Sequence, residues 1–262
     1  MKFIQERLSA VREKMTALNV DALLVPRADE YLGEYIPQRN ERLRWISGFT
    51  GSAGLVIVLR QHAAIFVDGR YTVQVRKQVS EELFEKLHLV EEPHIEWLTG
   101  QLSAGARVAY DPRLHPLEWQ RQASKSFGEA DIELFELDAN PIDQCWQDRP
   151  VVEKHPALLL PEKLAGRSSL DKRREIGAAV AAKGADAALV FAADSCAWLL
   201  NIRGQDVPCV PVVLGFSLLY ADGRMQFFSD PDKIPGGFAA HVGEGVEVLP
   251  EREAASVYAG MP

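Results

Sequence analysis

The chain has 262 residues, 47% of them hydrophobic and 25% charged, which is the composition of a globular protein with room for one or two domains. Its net charge of −8 at pH 7 argues against a nucleic acid as the principal partner. No stretch reaches the ~18 apolar residues of a membrane span, the N-terminus lacks a signal-peptide pattern, and the three cysteines fit neither a disulfide framework nor a zinc site, so a cytoplasmic protein without a membrane partner is predicted.

The first half of the chain alternates predicted helices and strands. Apolar residues spaced by four and three from Ile4 to Leu18 predict an amphipathic helix that Asn19 ends. Then follow a strand at 21–25, an exposed charged excursion at 28–44, strands at 55–59 and 63–67, a helix at 71–87, a strand at 88–90, a short helix around Trp97, a strand at 107–110, a helix at 116–127 and a strand at 132–137. This alternation predicts an α/β domain whose mixed sheet is covered on both faces, an αβα sandwich.

The strands on either side of the polar break at 60–62 predict a β-hairpin that presents an arginine. The second strand ends at the turn dipeptide Asp68-Gly69, and Arg70 and Tyr71 follow directly. Strand ends are where α/β proteins place their chemistry, and a guanidinium there can hold a carboxylate or a carbonyl-rich peptide end. An ion pair within the domain explains the same arginine equally well, and the sequence leaves the two open.

The pattern of the first half restarts after residues 148–169, a proline-containing linker candidate. A helix at 170–183 and a strand at 186–191 follow. Three ordered matches join the two halves: Asn19–Val25 with Gly184–Val190, Trp45-x-x-x-Phe49-x-Gly51 with Trp198-x-x-x-Ile202-x-Gly204, and Asp68-Gly69-Arg70 with Asp222-Gly223-Arg224. We therefore predict an internal duplication, in which both tryptophans are most simply core residues and Arg224 is structural.

The duplication predicts a domain I at 1–147, the linker at 148–169 and a domain II at 170–262. The first repeat continues for about 45 residues after the helix around Trp97, whereas the second repeat reaches the equivalent helix at 252–260 and ends there. Domain II is thus predicted to be incomplete and to leave a sheet edge uncovered. Either the chain is a fragment of a longer one, or another chain supplies the rest.

Residues that could carry chemistry by themselves are sparse. The six histidines form no i,i+4 pair and no HExxH motif, so no metal site is expected in this chain. Ser52 and Cys196 are the candidate nucleophiles, but no base accompanies either. The glycines at 48, 51 and 54 precede a strand rather than a helix, which favours close backbone packing over a phosphate loop.

Three segments together resemble the leading half of the long, three-domain form of the Xaa-Pro aminopeptidase (aminopeptidase P) family, metallopeptidases of the pita-bread fold. They read EYIPQRNERLRWISGFTGSAG, HAAIFVDGRYTVQ and DSCAWLLNIRGQDVPCVPVVLGFSLLY. The resemblance implies two duplicated creatinase-N-terminal-like units, followed by a catalytic domain in which two Asp, one His and two Glu bind two metal ions, usually manganese.

None of the catalytic motifs of that family, Gly-x-Gly-His, Glu-Pro-Gly-Tyr and Asp-Gly-Thr-Thr-Asp-Val, is in this chain, so it is predicted to be inactive alone and to hold no cofactor. The resemblance implies that these leading domains shape the access of peptides with proline at the second position and form a homodimer. It also makes Arg70 a candidate to reach the substrate, with Tyr71 and Trp45 as its neighbours.

Two further functions stay open at this point. One is a naturally short, non-enzymatic module that binds a peptide or a protein. The other is a self-sufficient hydrolase that uses Ser52 or Cys196.

Overall fold

The computed structural model describes residues 2–260, which form two compact units, one up to Val151 and the other from Val152 onward. In the first unit the helices are α1 (Lys2–Ala17), α2 (Arg42–Ser47), α3 (Thr72–Gln78), α4 (His94–Gln101), α5 (Leu117–Glu129) and α6 (Pro141–Cys145). Its strands are β1 (Ala22–Pro26), β2 (Leu55–Leu59), β3 (Ala63–Val67), β4 (Glu85–His88), β5 (Arg107–Tyr110) and β6 (Glu133–Glu136).

These six strands form one mixed sheet in the order β4-β3-β2-β1-β5-β6. Strand β2 runs antiparallel to both β1 and β3, and the outer pairings are parallel. Every residue of β2 is buried, because Val56 and Val58 join the core on one face and Leu55, Ile57 and Leu59 join the core on the other. The predicted α/β sandwich with a mixed sheet is confirmed.

The predicted helix at 71–87 is wrong beyond α3. Val79 has extended dihedral angles, and the backbone amide of Phe84 bonds to the carbonyl of Ser80 in a turn. Leu87 then lies in β4 and pairs with Phe66 of β3, so the predicted strand at 88–90 begins earlier. The apolar residues spaced four apart, from Val75 to Leu87, therefore lie in a helix, a turn and a strand in succession. Pairing with β3 stabilises the strand more than the four-residue spacing stabilises a continued helix.

The predicted exposed excursion at 28–44 is only partly right, because Leu32 and Tyr35 are exposed but other residues of the segment are buried. Asp29 and Arg42 are almost fully buried, and Ile36 and Asn40 are buried beside them. Asp29 organises the start of the segment, since its carboxylate accepts hydrogen bonds from the backbone amides of Tyr31 and Gly33. The segment therefore contributes to the core, although it carries many charges.

The second unit repeats the plan on a smaller scale. Its elements are β7 (Leu158–Leu159), α7 (Glu162–Ala165), α8 (Ser169–Ala182), β8 (Ala187–Val190), α9 (Ala193–Leu200), β9 (Ile202–Arg203), β10 (Phe216–Tyr220), β11 (Met225–Phe228), α10 (Phe238–Val242), β12 (Val246–Leu249) and α11 (Ala254–Ala259). Four strands form a mixed sheet in the order β12-β11-β10-β8, and β7 pairs with β9. The segment 148–169 thus contains β7 and α7 besides irregular chain.

Two of the three repeat correspondences hold in the structure. Asn19 and Gly184 both have positive φ, +51° and +73°, between a helix and the strand that follows it. Trp45 lies in α2 and Trp198 in α9, the helices that follow those strands. Trp45 is a core residue as predicted, at 6% exposed, but Trp198 is 44% exposed and packs under the ammonium of Lys172, so the core assignment is wrong for it.

The third correspondence is wrong. Asp68-Gly69-Arg70 follows β3, whereas Asp222-Gly223-Arg224 lies in the turn from β10 to β11, at the opposite end of the equivalent hairpin. In both turns the arginine backbone amide donates to the aspartate two residues earlier, over 2.9 and 3.0 Å. The shared tripeptide therefore specifies the same local turn but not the same place in the sheet.

Candidate functional site

Arg70 is held at the end of β3 with its guanidinium largely in solvent. Its Nε donates to Oδ1 of Asp68 over 3.1 Å and its Nη2 to Oδ2 over 2.8 Å, while the side chain is 62% exposed. The hydrogen bonds from Arg70 keep the pKa of Asp68 below its ordinary value. The structure thus shows the ion pair within the unit, which was one of the two interpretations of this arginine, and leaves its side chain exposed.

The Nη1 amino group of Arg70 takes no part in this ion pair. Asp68 occupies the Nε and Nη2 donors, and Nη1 makes no hydrogen bond to any residue in the part of the chain that the structure describes. A guanidinium has five N–H donors in a planar fork, so a free amino group can still bind a carbonyl or carboxylate oxygen.

Tyr71 lies beside Arg70 and anchors the end of the hairpin. The guanidinium carbon of Arg70 lies 5.2 Å from the centre of the Tyr71 ring, and the phenol oxygen lies 2.8 Å from Oγ of Ser52. The hydrogen bond with Ser52 lowers the pKa of the Tyr71 phenol. Since the hydroxyl of Ser52 pairs with a phenol, this contact supplies no base that would activate it as a nucleophile.

Position 51, next to Ser52, requires glycine because a side chain there would clash with two aromatic rings. A Cβ on Gly51 would lie 2.3 Å from the ring of Phe49 and 2.9 Å from the ring of Tyr71. These two rings meet edge to face, with their centres 5.6 Å apart. The prediction that the glycine series serves close packing is confirmed at this position.

Trp45 lines a pocket to which neither Arg70 nor Tyr71 contributes. Its ring stacks on Trp146 with centres 5.9 Å apart, and the guanidinium of Arg7 covers it at 4.9 Å. Arg7 also donates to the carbonyl of Trp45 over 2.7 Å. The structure therefore brings Arg70 and Tyr71 into direct contact, whereas Trp45 shares with Tyr71 only membership of the same hydrophobic cluster.

The pocket at Trp45 has a volume of about 440 Å³ and a mixed polar and aromatic lining. It is lined by Arg7, Gln38, Glu41, Arg44, Trp45, Gly48, Trp146, Asp148 and Pro150. Burial raises the pKa of Glu41, and the nearby guanidinium of Arg27 opposes that shift. Indole faces with charges of both signs around them can accommodate a dipolar ligand such as a peptide.

A buried ionic network, which sequence reasoning missed, fixes the segment that carries this pocket. Arg42 is 1% exposed and binds Asp143 of α6 through Nε and Glu30 through Nη2, each over 2.8 Å. Burial disfavours the charge of Arg42, yet the bonds to Asp143 and the charge of Glu30 raise its pKa above the ordinary value. Because the partners are 12 and 101 residues away in sequence, no local pattern signals this network.

Cys196 is a structural cysteine. It is completely buried, its Sγ lies 3.2 Å from Oγ of Ser217, and burial raises the pKa of its thiol to about 11. A thiol in this environment is not activated as a nucleophile, so the geometry does not favour a self-sufficient hydrolase based on it.

Comparison with known proteins decides the family. Residues 7–145 match one family model and residues 148–261 match a second, and both models are described as the creatinase/prolidase N-terminal domain. The chain belongs to the creatinase/prolidase N-terminal domain family. The two consecutive matches confirm the predicted duplication.

The relatives of these creatinase/prolidase N-terminal domains are much longer proteins. The chain is 32% identical to aminopeptidase P1 of Lotus japonicus over 94% of its own length, but spans 38% of that relative. It is 30% identical to Xaa-Pro aminopeptidase 2 of Homo sapiens, and spans 34% of it. The predicted resemblance to the aminopeptidase P family is confirmed.

A solved structure carries the same fold. It is an X-prolyl aminopeptidase from Caenorhabditis elegans, described as a cytosolic enzyme with a di-nuclear active site. The match has a TM-score of 0.90 and 25% identity, and covers 98% of this chain and 44% of that one.

The side chains that the structure describes do not fit a dinuclear metal centre. Within residues 2–260, no three His, Cys, Asp or Glu side chains lie close enough together to hold a metal ion. A dinuclear site needs several converging ligands for each ion. Separately, no helix in the described part of the chain has both the length and the apolar character needed to cross a bilayer.

Proposed function

We propose that this chain is the non-catalytic leading part of an Xaa-Pro aminopeptidase that removes the first residue of peptides with proline at the second position. The observation that carries the proposal is the similarity along nearly the whole chain to aminopeptidases of which it spans only about two fifths. The two metal ions, expected to be manganese, belong to the remaining part of such an enzyme. The complete enzyme is proposed to be a cytoplasmic homodimer.

Within this enzyme, we propose that the chain shapes the access of the peptide and that Arg70 contacts it. The support is geometric: Asp68 orients the guanidinium, and the Nη1 amino group is left for an external oxygen. Tyr71 stiffens the turn through Ser52. We propose Trp45, in its own pocket, as a contact for a more distant part of the same peptide.

A chimera tests the proposed function. This chain replaces the matched portion of the Caenorhabditis elegans enzyme, and hydrolysis of an Xaa-Pro peptide is measured with Mn²⁺. The chimera is expected to be active, and the 262-residue chain alone to be inactive under the same conditions. Hydrolysis by the chain alone, or a folded but inactive chimera, contradicts the proposal.

The role of Arg70 is tested in the same chimera. Arg70→Ala is expected to raise KM or lower kcat severalfold while the melting temperature stays within about 1 °C, since an exposed ion pair contributes little to stability. Arg224→Ala is the matched control, because Arg224 makes the same local ion pair in the other unit. If the two substitutions have equal kinetic effects, or if Arg70→Ala has none, then Arg70 does not contact the substrate.

The alternative is a peptide- or protein-binding module without enzymatic activity, and the pocket at Trp45 is the observation that favours it. In that case, the isolated chain binds a short Xaa-Pro peptide, measured by calorimetry, and Trp146→Ala abolishes binding. The proposed homodimer is measured by light scattering on the purified chimera.

A further inference from the structure

His88 ends β4 beside the turn that carries Arg70. Strands β3 and β4 are parallel, and His88 pairs with Val67, the last residue of β3. The backbone amide of Leu89 donates to the carbonyl of Val67 over 2.9 Å, which fixes the two strand ends against each other. Because parallel strands end at the same edge of a sheet, His88 lies at the edge where the turn Asp68-Gly69-Arg70 begins.

One ring nitrogen of His88 is used within its own turn. Its Nδ1 accepts hydrogen bonds from the backbone amides of Val90 and Glu91, over 3.3 and 3.2 Å. The amide of His88 itself donates to Oε2 of Glu92 over 2.8 Å and closes the same turn. A ring nitrogen that accepts hydrogen bonds carries no proton, so these bonds assign the proton of the neutral imidazole to Nε2.

The other ring nitrogen, Nε2, lies at the turn that presents Arg70. A Cβ on Gly69 would stand 3.6 Å from this nitrogen. The hydrogen bonds from Arg70 lower the pKa of Asp68 most, and the nearby imidazole of His88 adds to that shift. His88 is half-buried, and its Nε2 makes no hydrogen bond to any residue between positions 2 and 260. The Nε2–H group is therefore a free donor at the turn.

Two free donors thus lie beside one turn, Nε2 of His88 and Nη1 of Arg70. Their surroundings favour an uncharged acceptor. Asp68 neutralises the charge of Arg70, and Glu34 adds a further negative charge near the guanidinium. These carboxylates would repel a carboxylate ligand, whereas a peptide carbonyl oxygen offers two lone pairs without a net charge.

We infer that the Nε2–H group of His88 is a second donor to the peptide that Arg70 contacts, and that it binds a backbone carbonyl oxygen of that peptide. The inference rests on the proposed function, because it concerns the same peptide. The two ring nitrogens have separate roles: Nδ1 holds the turn that follows β4, and Nε2 binds the ligand. A purely structural histidine would have only the first role.

Two substitutions separate these roles. Asparagine places an amide oxygen near the position of Nδ1, so His88→Asn keeps the acceptor for the turn and removes the donor at Nε2. Glutamine places an amide nitrogen near the position of Nε2, so His88→Gln keeps the donor and removes the acceptor. His88→Asn is expected to leave the melting temperature of the chimera within ~1 °C, and His88→Gln to lower it by roughly 2–4 °C.

The kinetic test uses the amide of the tripeptide Ala-Pro-Ala, which has carbonyl groups but no carboxylate. In the active chimera, His88→Asn is expected to lower kcat/KM by roughly threefold to tenfold, whereas His88→Gln stays within about twofold of the parent. Gly69→Ala places a methyl group against Nε2 and is expected to lower kcat/KM as His88→Asn does. His62→Asn is the control, because His62 is exposed at the opposite end of β3, and is expected to change nothing.

A folded but inactive chimera rejects the proposed function and still tests His88. The tripeptide amide is then not hydrolysed, so its Kd is measured directly by calorimetry, and the same fold changes are expected for each variant. Conversely, an active chimera in which His88→Asn leaves kcat/KM unchanged rejects only the role of His88.

The position of the proton is tested on the 262-residue chain by NMR of the imidazole nitrogens. The proton of His88 is expected on Nε2 at pH 7, and a proton on Nδ1 overturns the inference. Equal losses of affinity in His88→Asn and His88→Gln also overturn it, because His88 then acts only through its turn. A loss confined to the free acid of the tripeptide contradicts the carbonyl contact, and a folded chimera that binds no peptide rejects both proposals.

Discussion

Replacing Arg42 by alanine removes the centre of the buried network that joins α2 to α6. Arg42 is 1% exposed, and its partners Glu30 and Asp143 keep 33% and 21% of their side-chain surface exposed. Breaking a buried ion pair costs about 3–5 kcal/mol, because the remaining charges stay poorly solvated. Here we expect the lower end, about 3 kcal/mol, since Asp143 retains Arg149 at 2.8 Å and Glu30 retains Asn40 at 2.6 Å.

The assay is unfolding by urea and, separately, by heat, both followed by tryptophan fluorescence, which reports on Trp45 and Trp146 near this network. For a unit of this size, a loss of about 3 kcal/mol lowers the melting temperature by roughly 6–12 °C. Arg70→Ala is the matched control, since it removes a 62% exposed arginine from a similar ion pair and should cost less than about 1 kcal/mol. Should Arg42→Ala cost no more than Arg70→Ala, the network does not stabilise the first unit and the reasoning fails.

Three further predictions concern packing, pH dependence and thiol reactivity. Gly51→Ala should destabilise the first unit by about 1–3 kcal/mol, because its Cβ has no room, whereas Gly128→Ala, with nothing within 4 Å, should stabilise α5 by about 0.5–1 kcal/mol in the same urea titration. Burial lowers the pKa of His115 to about 4. The free energy of unfolding therefore carries no penalty from His115 above its unfolded pKa of ~6.5, and it decreases as pH falls toward 4 because the unfolded chain then binds a proton that the folded chain does not. His115→Gln should reduce the fall of melting temperature over this pH range. A thiol reagent at pH 8 should modify the exposed Cys209 in the folded chain and leave Cys196 unmodified until the chain unfolds, which mass spectrometry would detect; modification of Cys196 in the native state would contradict its burial.

The sequence by itself determined the fold class, the duplication and the family. These properties depend on local patterns: buried strands appear as short apolar runs, as in β2 and β3, and a turn such as Asp68-Gly69-Arg70 is encoded by its own residues. For the same reason α1 and β5 were predicted nearly to the residue.

Only the tertiary structure decided where these local pieces lie relative to one another. It ended the helix after Gln78, placed the second Asp-Gly-Arg turn at the other end of its hairpin, and buried Arg42 in a charged segment. The exposure of Leu189, with an apolar pattern matching that of the buried Leu24, belongs to the same class. In each case, the deciding energy comes from partners distant in the chain, through strand pairing, charge pairing or the layer that covers a sheet, and a single sequence does not encode such partners in its local spacing.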